Sequence, residues 1–355
     1  MGELDLVLLE RLCASPGVSG REDAVRGLVR AELEGLVDEI SIDPMGNLVA
    51  VRRGDGGPRV MVAAHMDEVG FLVRHVEAEG FVRIHPVGGI FPEFLPAQRV
   101  LIHPADGDPL PGVLTEPSEL GVPNEETKVP KVEEFYVDVG LPGDVVAERV
   151  IPGDPVTMDR GLTRTGDRVV AKALDDRVGL FVIIEVLRAL PRGRAEVIAV
   201  GSVQEEIGTR GVLVAAHRIA KDVGVAIDTT MARDLPGVEP GRVVTRLGQG
   251  VSIKVMDKHQ ITHAPLLRFV RDLASERGIP HQLEVGLPGG TDAEAIEVAG
   301  DGTPSIALSI PSRYPHTASE MCDLGDIAAT ERLLQAFLEE ITPQVLSRDV
   351  SPDRA

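Results

Sequence analysis

Apolar, strand-like segments alternate with amphipathic, helix-like segments over the second half of the chain, and this pattern constrains its fold most. Helical spacing occurs at 176–190, 212–220, 265–278 and 326–341, and β-branched apolar runs occur at 195–203, 223–228 and 304–310. Such alternation is typical of an α/β protein, because each helix carries the chain back across the sheet. We predict a three-layer α/β/α sandwich with a mainly parallel central sheet. Nearer the N-terminus, 4–38 predicts two helices and the Gly-rich 54–57 predicts a hairpin turn between two strands.

The segment 70–159 does not follow this pattern. Short runs that alternate apolar and polar residues are separated by Pro and Gly, as at 71–76, 81–87 and 98–103. We predict a small, barrel-like all-β domain here. It would be inserted into a discontinuous main domain made of residues 1–69 and 160–355.

The composition narrows the possible partners. A net charge of -20 disfavours nucleic acid and anionic membrane surfaces, both of which attract clustered Lys and Arg. No uncharged apolar run reaches the roughly 20 residues of a membrane span, and the N-terminus lacks the basic start of a signal peptide. The only cysteines, Cys13 and Cys322, exclude a disulfide framework. We expect a cytoplasmic protein with no nucleic-acid or membrane partner.

Side chains that can bind metals follow several predicted strands. In open α/β sheets, ligands bind beyond the carboxyl ends of the strands, so these side chains are expected to meet in one pocket. They are His65, Asp67, Glu205, Glu206, Asp228 and His316, together with Asp175 and Asp176 just before a helix.

The chemistry of this set favours a site for divalent cations. Imidazoles and carboxylates without thiolates suit zinc, cobalt or manganese, and five ligands with one shared carboxylate can hold two ions. In the adjacent pair, one carboxylate can bind metal while the other acts as a base, because neighbouring side chains of an extended segment point opposite ways. Spacing does not decide between them; we assign Glu206 as ligand and Glu205 as base. Asp67 shares a strand face with His65 and is assigned as its hydrogen-bond partner.

Six short motifs occur in the order seen in one known family. They are AHMDEVG, KALDDRVG, VQEEIGTRG, AIDTT, GGTDA and RYPHT. Together they resemble the tetrahedral aminopeptidases, the glutamyl and deblocking aminopeptidases with two metal ions. The match runs from the N-terminal helices to the final helix and includes the β insertion.

The resemblance implies a ligand for each metal. His65 would bind one ion and His316 the other, and Asp175 would bridge both. Glu206 and Asp228 would each supply one further ligand, one to each ion. Two divalent ions per subunit are expected. Zinc and cobalt are the favoured identities, and manganese is a further candidate.

The resemblance also implies the reaction and the assembly. A hydroxide that bridges the metals would attack the N-terminal peptide bond of a short peptide, with Glu205 as general acid/base and Asp67 as the partner of His65. Gly290, Thr291 and Asp292 would lie near the substrate. Family members form dodecameric tetrahedra built from dimers through the inserted domain, so a homo-oligomer is expected.

Three alternatives remain open on the sequence. The same scaffold could carry a metal-dependent deacylase or a carboxypeptidase, and paired carboxylates could serve a glycoside hydrolase. Two observations disfavour the glycosidase: Trp is absent, and histidines, which that chemistry does not require, are present at the strand ends. The sequence HQITH at 259–263 has the spacing of a zinc-protease helix, but Gln260 cannot act as a base, so we interpret this segment as a loop.

Overall fold

The computed structural model describes residues 4–116, 130–287 and 289–346. The helices are α1 Leu6–Ala14, α2 Asp23–Leu33, α3 Gly143–Ala147, α4 Leu174–Ala189, α5 Arg210–Arg218, α6 Ala264–Glu276, α7 Asp292–Val298 and α8 Leu324–Glu340. The strands are β1 Glu39–Ile42, β2 Leu48–Arg52, β3 Arg59–His65, β4 Gly70–Val76, β5 Val82–Val87, β6 Arg99–Ile102, β7 Leu110–Thr115, β8 Tyr136–Asp138, β9 Pro155–Met158, β10 Thr163–Thr165, β11 Arg168–Ala171, β12 Glu196–Ser202, β13 Val223–Met231, β14 Val251–Asp257, β15 His281–Leu287, β16 Ser305–Arg313 and β17 Glu320–Asp323.

The main sheet contains 11 strands, and its central path runs β1-β2-β12-β3-β13-β16-β17-β11-β10. The four middle strands β12, β3, β13 and β16 are mutually parallel. The outer pairs on this path are antiparallel, and β14 pairs with both β15 and β16. The prediction of a parallel sheet therefore holds for the four middle strands of a mixed sheet. The candidate site lies at the ends of these strands.

Helices cover both faces of this sheet, which gives the predicted three layers. Successive side chains of a strand point to opposite faces. In β3, Val60 and Val62 join the apolar cluster with α1, α2, α4, α6 and α8. Met61 and Ala63 join a second cluster with α5 and α7. Both faces are buried, as expected for parallel strands.

The prediction of a hairpin turn at 54–57 is wrong. Strands β2 and β3 do not pair; β12 lies between them and pairs with both. The glycines instead allow a close approach to the chain before β12, because a Cβ at Gly54 would lie 2.3 Å from the carbonyl oxygen of Arg194. The amide of Gly57 donates to that same oxygen at 2.8 Å.

The strands from Gly70 to Met158 form a separate closed barrel in the order β4-β5-β8-β7-β6-β9. Its interior is an apolar cluster that includes Phe71, Ile84 and Phe135. This agrees with the barrel-like β domain expected there, although the short helix α3 also lies in this segment and contributes Val146 to the interior. The boundaries at 69/70 and 159/160 stay a prediction. None of the helices in the described segments has the length and apolarity that a membrane span requires.

Candidate active site

One cavity of about 510 Å³ receives side chains from the carboxyl ends of the middle strands. His65 is the last residue of β3, and Asp228 lies near the end of β13. The predicted residues that line the cavity are His65, Asp175, Glu205, Glu206, Asp228 and His316. Side chains up to 251 positions apart in sequence are thus brought together, as the strand-end pattern predicts.

Asp175 lies between the two imidazoles. Its Oδ1 is 3.1 Å from His65 Nε2, and its Oδ2 is 3.5 Å from His316 Nε2. Burial favours the neutral acid, but hydrogen bonds to His316 and His65 outweigh it and hold the pKa of Asp175 well below its usual range. The carboxylate is therefore ionised and presents one oxygen to each side of the site.

The other carboxylates are crowded. Glu206 Oε1 lies 3.3 Å from His316 Nε2, and within the described ranges it has no hydrogen-bond partner although it is buried. Burial raises the pKa of Glu206 to about 7. Burial and the charge of Asp175 also raise the pKa of Asp228. A bound cation would offset this crowding of carboxylates, so these donors fit divalent metals.

Two groups of donor atoms are compact enough for one ion each. One comprises His65, Asp175 and Glu206, and the other comprises His65, Asp176 and Asp228; in each, the atoms lie within 4.8 Å of one another. Asp176 also accepts a hydrogen bond from the His65 backbone amide at 3.2 Å. The peptide bond between Asp175 and Asp176 is cis.

Asp67 contacts the site in two ways. The His65 Nδ1 atom lies 3.0 Å from the backbone carbonyl of Asp67 and 3.5 Å from its carboxylate. The carboxylate accepts hydrogen bonds from the amides of Glu205 and Glu206 at 2.9 and 3.1 Å, and from Ser19 Oγ at 2.6 Å. It thus orients the glutamate pair directly, while the imidazole is oriented mainly by the backbone.

Glu205 faces the same space. Its Oε2 atom lies 4.0 Å from His65 Nε2. Burial, together with the charges of Asp228 and Glu206, raises the pKa of Glu205 well above its usual range, although His65 opposes this. A raised pKa makes a carboxyl group a better proton acceptor when it is ionised, as a general base requires.

The M42 glutamyl aminopeptidase family matches residues 46–333 of this chain. The chain belongs to that family. It is 36% identical to the lysyl aminopeptidase of Pyrococcus furiosus over 96% of this chain and 98% of the relative. The aminopeptidase APDkam598 of the archaeon Desulfurococcus kamchatkensis has a similar structure, with a TM-score of 0.92, 37% identity and 96% of each chain covered. The TET1 peptidase of Pyrococcus horikoshii is also similar in structure, with a TM-score of 0.84 and 29% identity. The match covers 95% of this chain and 99% of the TET1 chain.

This family assignment confirms the resemblance found in the sequence and makes the chain an aminopeptidase, a hydrolase. The mixed α/β sheet with a closed six-stranded barrel agrees with the TET structures. Peptidases of this family depend on metals, and the donor groups described above fit that requirement.

Glu320 is a residue of this M42 aminopeptidase that the sequence analysis missed. Its buried carboxylate accepts hydrogen bonds from the backbone amides of Asp175 and His316, both at 2.8 Å. It therefore joins the segments that carry these two side chains. The sequence signal for Glu320 is weak. This glutamate follows His316 by four residues, and its carboxylate contacts only backbone amides of the site residues.

We expect Glu320→Gln to weaken metal binding by about 10- to 100-fold, the range typical for groups that orient metal ligands. The amide can accept from one N–H group with its oxygen, but its NH₂ group cannot accept from the other. Titration with a metal indicator measures the change. Glu331→Gln, on α8, is the control, and equal weakening in both variants would contradict a local role.

The predicted substrate residues of this M42 aminopeptidase occupy different positions. Gly290 lines the cavity. Thr291 is buried and caps α7, since its side chain accepts from the Ala293 amide. Asp292 is buried and accepts a hydrogen bond from Ser202 Oγ. Substrate contact by all three stays a prediction, and Gly290 is the best placed.

The segment HQITH forms a loop in this M42 aminopeptidase, as predicted. Asp257 Oδ1 accepts from the amides of His259 and Gln260, both at 2.8 Å, which fixes the turn after β14. His259 lines the cavity on this loop.

Proposed function

We propose that this M42 aminopeptidase removes N-terminal residues from short peptides with the help of two divalent cations. The observation that carries the proposal is the position of Asp175, whose two oxygens face His65 on one side and His316 on the other. A carboxylate in that position can be shared by two ions.

We assign the remaining donors to two sites that share Asp175. Glu206 is also within reach of His65, but we assign it to the site of His316 because its Oε1 atom lies 3.3 Å from His316 Nε2. His65 and Asp228 would complete one site, and His316 and Glu206 the other. When bound, the cations would polarise the scissile carbonyl and make water acidic enough to attack it. Zinc, cobalt and manganese all suit nitrogen and oxygen donors of this kind.

The residues of the chain would carry the proton transfer. Glu205 accepts a proton from the attacking water and passes it to the nitrogen of the leaving amine. The carboxylate of Asp67 holds Glu205 in place by accepting a hydrogen bond from the Glu205 backbone amide.

Removal of metal tests this function. Dialysis against EDTA should abolish hydrolysis of leucine p-nitroanilide, and addition of zinc, cobalt or manganese should restore it. Full activity on this substrate after verified metal removal would contradict the proposal. N-terminal acetylation of a peptide substrate should also abolish cleavage; continued cleavage would favour the deacylase or carboxypeptidase instead.

We propose a homo-oligomeric assembly as well. The similar TET1 peptidase of Pyrococcus horikoshii can assemble into a tetrahedron or a large octahedral shell. A dodecamer built from dimers through the closed barrel is the form proposed for this chain, at twelve times the protomer mass of 37.9 kDa. The cytoplasmic location stays a prediction.

A further inference from the structure

We infer that Glu294 makes this enzyme prefer peptides whose first residue is lysine or arginine. The inference rests on the proposed function, because it concerns the side chain that enters the same cavity. Glu294 lies in the first turn of α7 and lines that cavity together with Asp175 and Glu205.

The carboxylate of Glu294 lacks strong partners. Its Oε2 atom is buried and, among the residues that the structure describes, has no hydrogen-bond partner. Its Oε1 atom lies 3.5 Å from Thr209 Oγ1, at the limit of a hydrogen bond. The nearest basic group, His259 Nδ1, is 3.7 Å from Oε2. A buried acceptor left in this state is costly, and an incoming cation would satisfy it.

Gly290 leaves room for this carboxylate. A Cβ at Gly290 would lie 2.4 Å from Glu294 Oε2, closer than real side chains allow. Any larger residue would push the carboxylate away from its position. The glycine and the glutamate therefore form one wall of the cavity together, and that wall carries negative charge.

Lys254 does not cancel this charge. Lys254 lines the cavity, but its Nζ atom lies 3.0 Å from Glu284 and 3.7 Å from Asp257. Two carboxylates thus face one ammonium group. Arg233 also lines the cavity and would favour an acidic first residue. The measured preference for basic or acidic substrates therefore shows whether Glu294 or Arg233 sets the specificity.

The test compares kcat/KM for lysine, arginine, leucine and glutamate p-nitroanilides with the metal-loaded enzyme. The wild type should prefer the lysine and arginine substrates. In Glu294→Gln the lysine-to-leucine ratio of kcat/KM should fall by about 10- to 100-fold, the value of a charged hydrogen bond inside a pocket. Glu297→Gln, on the same helix, should leave the ratio unchanged.

The ratio keeps the test valid when a variant folds poorly, because both substrates are measured on the same active molecules. Glu294→Ala should lower it too. A wild-type preference for glutamate, or an unchanged ratio in both Glu294 variants, would overturn the inference while hydrolysis of the leucine substrate left the proposed function intact. If no substrate were hydrolysed after metal loading, the proposed function itself would fail.

Discussion

Glu205→Gln should lower kcat by at least two orders of magnitude and leave metal content near the wild-type level. General acid/base groups typically contribute about 10²–10⁴ to the rate, and an amide of the same shape cannot accept the proton. The contact with Asp67 runs through the backbone amide of residue 205, so the substitution leaves it in place. Steady-state kinetics and metal analysis by mass spectrometry measure both quantities.

The neighbouring residue supplies a matched control. Glu206→Gln makes the same chemical change one position along, but its Oε1 atom lies 3.3 Å from His316 Nε2. We expect this variant to lose metal, and added metal should partly restore its activity. If Glu205→Gln kept near wild-type turnover, or lost metal as readily as Glu206→Gln, the assignment of the base would be wrong.

Asp175→Asn should remove both metals. One oxygen of the carboxylate would become an NH₂ group, which cannot bind a cation and would face either His65 or His316. The loss of affinity should exceed the roughly 10- to 100-fold that follows removal of a group supporting a ligand. Metal content after dialysis should fall from about two ions per protomer to below one, since both sites would share Asp175.

Asp106→Asn, on an exposed loop of the barrel, controls for the substitution itself and should retain its metal. If Asp175→Asn lost one ion and kept the other at full affinity, Asp175 would be a ligand of a single site rather than a bridge.

The strand-end pattern predicted the candidate site well because it depends on a physical rule. The middle strands are parallel, so residues that follow them, such as His65 and Asp228, must meet at one edge of the sheet. The barrel was predictable for a related reason, since short runs that alternate apolar and polar residues favour strands; only the short helix α3 interrupts them in the described part of this segment as an α-helix.

Other features depend on contacts that no local pattern records. Glu320 acts on backbone amides, and any carboxylate in that position would look the same in the sequence. The turn at 54–57 was misassigned because a Gly-rich segment can mark either a hairpin or a close approach of two chains. Here β12, which follows about 140 residues later in the chain, lies between β2 and β3, and Gly54 makes room for Arg194 and Ala195 just before it.

The inserted barrel reaches the candidate site through Gly89 and Phe91, both of which line the cavity. The carbonyl oxygen of Gly89, just after β5, accepts a hydrogen bond from His316 Nδ1 at 2.6 Å. That bond fixes which ring nitrogen is left to face Asp175. A shortened enzyme made by excising the barrel would therefore need a substitute acceptor at this point, because without one the imidazole could rotate or change tautomer.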